Sequence, residues 1–260
     1  MTSFAALFKV TAQNRLRLLN KLLLINLMVI VISFLLTLFS QRIRPYWSLS
    51  LFFNILFWIA VFEIVILVAI IVSSRNCLRS NRFRLIPISD IKLYLADLSS
   101  SVIGVVYASF CQWVAVILSI VILWLGFPHN KAGADFRSGF WLGFKKGSAY
   151  SGGLSSTLLS ILAMILIILL VHLVDFLSTT LLNYVPGGAQ KMVKLVVYVV
   201  VIMLVVYVIF NIIRILYSLY QGNFLKQAPS FWMTDGLMVI FIVIIGSINL
   251  GLLPKVETTR

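Results

Sequence analysis

Long apolar stretches alternate with short polar ones along almost the whole chain, at about residues 22–38, 51–72, 102–127, 157–182, 193–216 and 236–253. Each is close to the roughly 20 residues a helix needs to cross the hydrocarbon core of a bilayer. The pattern therefore predicts an all-α, polytopic membrane protein with six transmembrane helices in one domain, residues 1–260. The connections carry the expected punctuation. Lys21 and Gln41, Arg42 and Arg44 bound the first run, Pro45, Tyr46 and Trp47 follow it, and Asn183-Tyr-Val-Pro-Gly-Gly separates the fourth from the fifth. The fourth run is the longest-reaching element in the layout, because a break in it would change the side on which everything after it lies.

Two segments have a mixed pattern. Residues 3–19 set Phe4, Leu7, Phe8 and Leu16 among Lys9, Gln13, Asn14, Arg15 and Arg17. That spacing predicts a basic amphipathic helix over 1–21 lying on the membrane surface before the chain turns inward. The second is Arg82-Phe-Arg-Leu-Ile-Pro-Ile-Ser-Asp-Ile-Lys-Leu-Tyr-Leu-Ala-Asp-Leu98. Pro87 ends any preceding helix, Ser89 is placed to cap the next, and Asp90 falls in its first turn, where a negative charge meets the positive end of the helix dipole. Ile91, Leu95 and Leu98 then recur at helical spacing, so a short amphipathic helix should lead into the third span.

Composition excludes a soluble fold. Of the 260 residues 62% are hydrophobic and 11% charged, against about 45–50% and 25% in soluble domains. The net charge of +14 is no sign of nucleic-acid binding, since the basic residues flank apolar runs instead of forming a basic, aromatic-interleaved surface. Their distribution orients the chain: with the N-terminus inside, thirteen Lys and Arg lie on that side and eight on the other. The positive-inside rule then predicts a multi-pass protein of the cell membrane with both termini cytoplasmic. Cys77 and Cys111 have no metal-ligand spacing around them and are expected to be free thiols. No phosphate-binding loop is present, because Gly143-Phe-Lys-Lys-Gly-Ser lacks the required spacing, and no cofactor is expected in this chain.

Three ionisable residues fall inside apolar runs: Glu63 in the second, His172 and Asp175 in the fourth. A charged side chain costs on the order of 2.5–3.5 kcal/mol at the centre of a bilayer, so these should face protein or water. Counted from the cytoplasmic ends of their spans, Glu63 and His172 sit at similar depth, and Asp175 is about one turn below His172. Holding helices together and lining a transport path are both open to them. Gly139, Gly143 and Gly147 recur at four-residue spacing in the loop between the third and fourth spans, which suits an outer interfacial helix among aromatics and lysines.

The basic stretch after the second span, then Leu85-Ile-Pro-Ile-Ser89, then a short helix entering the third span, resembles the coupling-helix region of type-2 ABC transporter permeases. The N-terminal segment is similar to their elbow helix, and six spans with both ends inside match their transmembrane domain. Where members often carry Leu-Gly-Lys, this chain has Leu95-Ala96-Asp97. The resemblance implies a permease subunit of an ATP-driven exporter for a peptide, lipid or small amphipathic substrate. It implies two partners besides the bilayer: a separate ATP-binding cassette ATPase and a second permease subunit, identical or related. It assigns the ATPase interface to Arg82, Arg84, Pro87, Ser89, Asp90, Lys92 and Tyr94, and makes the chain itself no enzyme. The alternative is a non-transporting membrane scaffold or immunity protein. Intramembrane proteases usually need a Glu-Glu pair with His residues, a Ser/His pair or a His-Glu-x-x-His motif; the two histidines, His129 and His172, belong to no such sequence motif, and only a Ser/His pairing through space stays open. A secondary transporter would need an inverted repeat with broken spans, which the sequence does not show.

Overall fold

The computed structural model describes residues 4–39, 46–79, 89–126, 152–182, 195–200 and 230–257, with a few further positions between 138 and 214. These residues are helical almost throughout. Five long helices are defined: α1 (Phe4–Leu38), α2 (Trp47–Arg79), α3 (Asp90–Gly126), α4 (Gly152–Leu182) and α5 (Ser230–Glu257). All five are long and apolar enough to cross a membrane. Of the fifth expected span, 193–216, residues 195–200, 202–203, 206–207, 210–211 and 214 are described, and all of them are helical. The protein is thus an all-helical membrane protein.

The helices extend beyond the apolar runs that predicted them. Residues 4–21 are continuous with the first span in one helix of 35 residues. The segment from 90 to 98 is likewise continuous with the third span. Ser89 stands at the N-cap of α3, its carbonyl accepting the amides of Lys92 (2.9 Å) and Leu93 (3.2 Å). The fourth run is a single unbroken helix from Gly152 to Leu182.

The chain divides into two compact units. One comprises Met1–Pro87 and Leu95–Ala149, the other Ile88–Tyr94 and Tyr150–Arg260. In the first, α1 packs along α2, and in the second α4 packs along α5.

Within the first unit small and polar residues share the interior with apolar ones such as Leu19, Ile66, Ile70 and Val105. The buried stripe of α3 includes Ala96, Asp97, Ser100, Ser101, Gly104, Ala108 and Gln112, while Ile103, Val106, Phe110, Ile117 and Leu118 are exposed. Lipid tails are as apolar as leucine, so nothing drives large aliphatic side chains inward. Small residues that let helices approach closely therefore take a share of the interior. Ala96, Ser100, Gly104 and Ala108 follow one another at every fourth position, a small-xxx-small line along one face. At Gly104 an added Cβ would lie 3.1 Å from Leu19 Cδ1 and 3.5 Å from Arg15 Cδ, which shows how closely α1 approaches that line.

Candidate functional site: a buried ion pair and two polar clusters

The strongest polar feature of the first unit is an ion pair between Arg15 of α1 and Asp97 of α3, whose side chains are 2% and 0% exposed. Arg15 Nη2 donates to Asp97 Oδ1 at 2.7 Å. Nη1 donates to the Asp97 carbonyl at 2.7 Å, to Ser100 Oγ at 2.8 Å and to Ser101 Oγ. The other carboxylate oxygen, Oδ2, accepts from Ser74 Oγ of α2. Asp97 therefore joins all three helices of the unit. Arg15 lies seven residues before the first apolar run, or roughly 10 Å from it along the helix, so this knot closes the end of the unit that carries the basic residues.

Farther along, α1 and α2 are joined by neutral bonds. Trp58 Nε1 donates to Ser33 Oγ at 2.9 Å, Ser33 Oγ donates to Asn54 Oδ1 at 2.8 Å, and Ser50 Oγ donates to Thr37 Oγ1 at 3.3 Å. Tyr107 Oη of α3 donates to Asn20 Oδ1 of α1 at 2.7 Å. These bonds fix the register of all three helices.

The second unit has its own cluster. Tyr94, His172 and Phe176 form an aromatic group, with Tyr94 5.7 Å from each of the other two ring centroids. Asn249 of α5 donates through Nδ2 to the Leu169 carbonyl of α4 at 2.9 Å and to Tyr94 Oη at 3.3 Å. Asp175 Oδ1 accepts from Tyr198 Oη at 2.9 Å. Neutral interhelical bonds in bilayers average about 0.6 kcal/mol and reach about 1.7. Asn249→Leu, similar in volume, is accordingly expected to cost between those values, read from the shift of an SDS unfolding midpoint. A cost above about 3 kcal/mol would mean that Asn249 holds more than these two bonds.

The residues singled out in the sequence fall in different places. His172 is buried in the aromatic group, and Asp175 is half-buried beside Tyr198. Glu63, also half-buried, belongs to the first unit. Ser89 and Lys92 are exposed, whereas Tyr94, expected on the same partner-facing surface, is fully buried. Asp90 is the first residue of α3. Arg82, Arg84 and Pro87 lie outside the described residues, as do Gly143 and Gly147. Cys77 and Cys111 are both free. Among the described residues, no group of three His, Cys, Asp or Glu is arranged to hold a metal ion.

The residues that sequence reasoning missed are Arg15, Asp97, Ser74 and Ser101. The amphipathic reading of 1–21 counts Arg15 among the polar residues of a helix lying on the membrane surface. A signal was present: Leu7, Thr11, Arg15 and Leu19, all buried, repeat at every fourth position, so Arg15 lies on the packed face of α1 and not on its wet one.

Long apolar helices with many large apolar side chains outward and an ion pair buried between them define a polytopic α-helical membrane protein. No protein-family model, no curated protein and no solved structure matches the chain.

Proposed function

We propose that this chain is the membrane-spanning permease subunit of an ATP-driven exporter. It sits in the cell membrane with both termini cytoplasmic, is driven by a separate ATP-binding cassette ATPase and is paired with a second permease subunit. The observation that supports this reading most is the opening of α3. A basic connection leads to Ser89, and α3 begins immediately after it with Ile91, Lys92 and Leu95 exposed. Two turns farther on, the same helix is tied at Asp97 to α1 and α2. A partner that grips the exposed start of α3 thus has a stiff lever: a helix without a break, anchored by charge to two other spans. The energy comes from the partner, and this chain converts closure of the ATPase into helix tilt.

Recovery of the ATPase on the tagged permease tests the reading. Each exposed charge contact is worth about 1 kcal/mol or less, so reversing Arg82, Arg84 and Lys92 together to Glu is expected to weaken the association about tenfold or more and to reduce export with it. If the wild-type chain recovers no ATP-binding protein, or if the triple variant leaves both association and export unchanged, the exporter assignment is wrong.

A further inference from the structure

The ion-pair layer of the first unit has a counterpart deeper in the membrane. Asn26 follows Arg15 by eleven positions on α1, Gln112 follows Ser101 by eleven on α3, and Glu63 precedes Ser74 by eleven on the antiparallel α2. Eleven residues make three helical turns to within roughly 20°, a rise of roughly 16 Å. Each of the three therefore points in nearly the same direction from its helix as a member of the Arg15–Asp97 knot, three turns farther into the bilayer.

The register of the interhelical contacts brings them to one level. On α1 and α3, Leu19 meets Gly104 and Asn20 meets Tyr107, which carries Asn26 opposite Gln112. On α1 and α2, Ser33 meets Asn54 and Thr37 meets Ser50, which carries Asn26 to the turn holding Glu63. Asn26 and Gln112 are 5% and 7% exposed. Neither Asn26 Oδ1 nor Gln112 Nε2 has a hydrogen-bond partner among the described residues. Two amides in the middle of an apolar unit, each with an unused polar atom, are costly unless something satisfies them.

We propose that Asn26, Glu63 and Gln112 form an intramembrane binding site for a small monovalent metal cation. Hard cations take oxygen ligands. Glu63 supplies a carboxylate and Asn26 its free Oδ1. Half a turn of the Gln112 amide about its last side-chain bond puts Oε1 where Nε2 stands. One carboxylate with two neutral oxygens balances a single positive charge. The site stands whether or not the chain is an exporter.

Thermal unfolding of the full chain in lipid nanodiscs tests it, with sodium or potassium chloride replacing choline chloride at constant total salt. The melting temperature is expected to rise saturably with one of the two metal ions and not with choline. Glu63→Gln should abolish the response. Gln112→Leu, which leaves the charge in place, should weaken the apparent affinity about tenfold, equivalent to about 1.4 kcal/mol. No response to either ion in the wild-type chain, or an equal response in Glu63→Gln or Gln112→Leu, would overturn the site.

Discussion

Arg15→Ala is expected to lower the stability of the protein by about 3–5 kcal/mol, the cost of leaving one member of a buried ion pair without its partner. After the substitution Asp97 keeps Ser74 as its side-chain donor, on a side chain too short to reach the headgroups from a fully buried position. Asp97→Ala should cost less than Arg15→Ala. Arg15 would retain the carbonyl of residue 97 and the hydroxyls of Ser100 and Ser101, and its long stem lets the guanidinium slide toward the headgroup layer.

The double variant Arg15→Met/Asp97→Leu separates the worth of the pair from the penalty of breaking it. Well-packed apolar replacements of buried pairs are often neutral or stabilising. The double variant should therefore recover most of what Arg15→Ala loses, in unfolding titrations followed by circular dichroism in mixed micelles. A loss below about 1 kcal/mol for Arg15→Ala would assign the pair to the solvent-screened class of surface ion pairs. If the proposed permease role holds and the pair transmits movement from the start of α3, the double variant will be stable yet poorly coupled. Transport activity and stability then come apart in one protein.

The spans were legible because their signal is long: runs near 20 apolar residues have no other use in a chain of this composition. The helix ends were not. At the start of α1 the sequence turns polar and basic near Lys21, and the natural reading puts a bend there. Arg, Leu, Asn and Lys all tolerate a helix, and no Gly or Pro interrupts 4–38, so a helix already nucleated in the membrane continues through the polar flank. Facing was harder still. The apolar line Ile91–Leu95 was legible as helical, but in a bilayer an apolar line does not say which side packs. Here it is the exposed side, and the buried side carries Tyr94 and Asp97. The four-residue spacing of small residues drew attention to Gly139, Gly143 and Gly147, whereas the stripe that packs is Ala96, Ser100, Gly104 and Ala108. Only one of those four is glycine. Asp97 itself stood out in the sequence only as a departure from a family pattern, and its partner 82 positions away could be found only once α1 and α3 lay side by side.

At the opposite end of the same unit, Gly126→Ala is expected to cost about 1–3 kcal/mol, the range for overpacking a close contact. A Cβ added at the end of α3 would lie 2.7 Å from Trp47 Cζ2 and 2.9 Å from Ser48 Cβ. The indole can swing away, since Trp47 is partly exposed. The Ser48 Cβ cannot, because it is attached directly to the backbone of α2 and the residue is buried. Relief therefore requires the two helices to move apart. Gly104→Ala makes the control within the same helix: its nearest atoms, Leu19 Cδ1 at 3.1 Å and Arg15 Cδ at 3.5 Å, lie farther off and need give by only a few tenths of an ångström, so the expected cost is below that of Gly126→Ala. Melting temperatures of the two variants in the same detergent decide the matter. If Gly104→Ala proves the more damaging, the rigid approach of the unit lies at its ion-paired end. In the expected order, α3 is held by charge at Asp97 near one end and by close packing against α2 at the other.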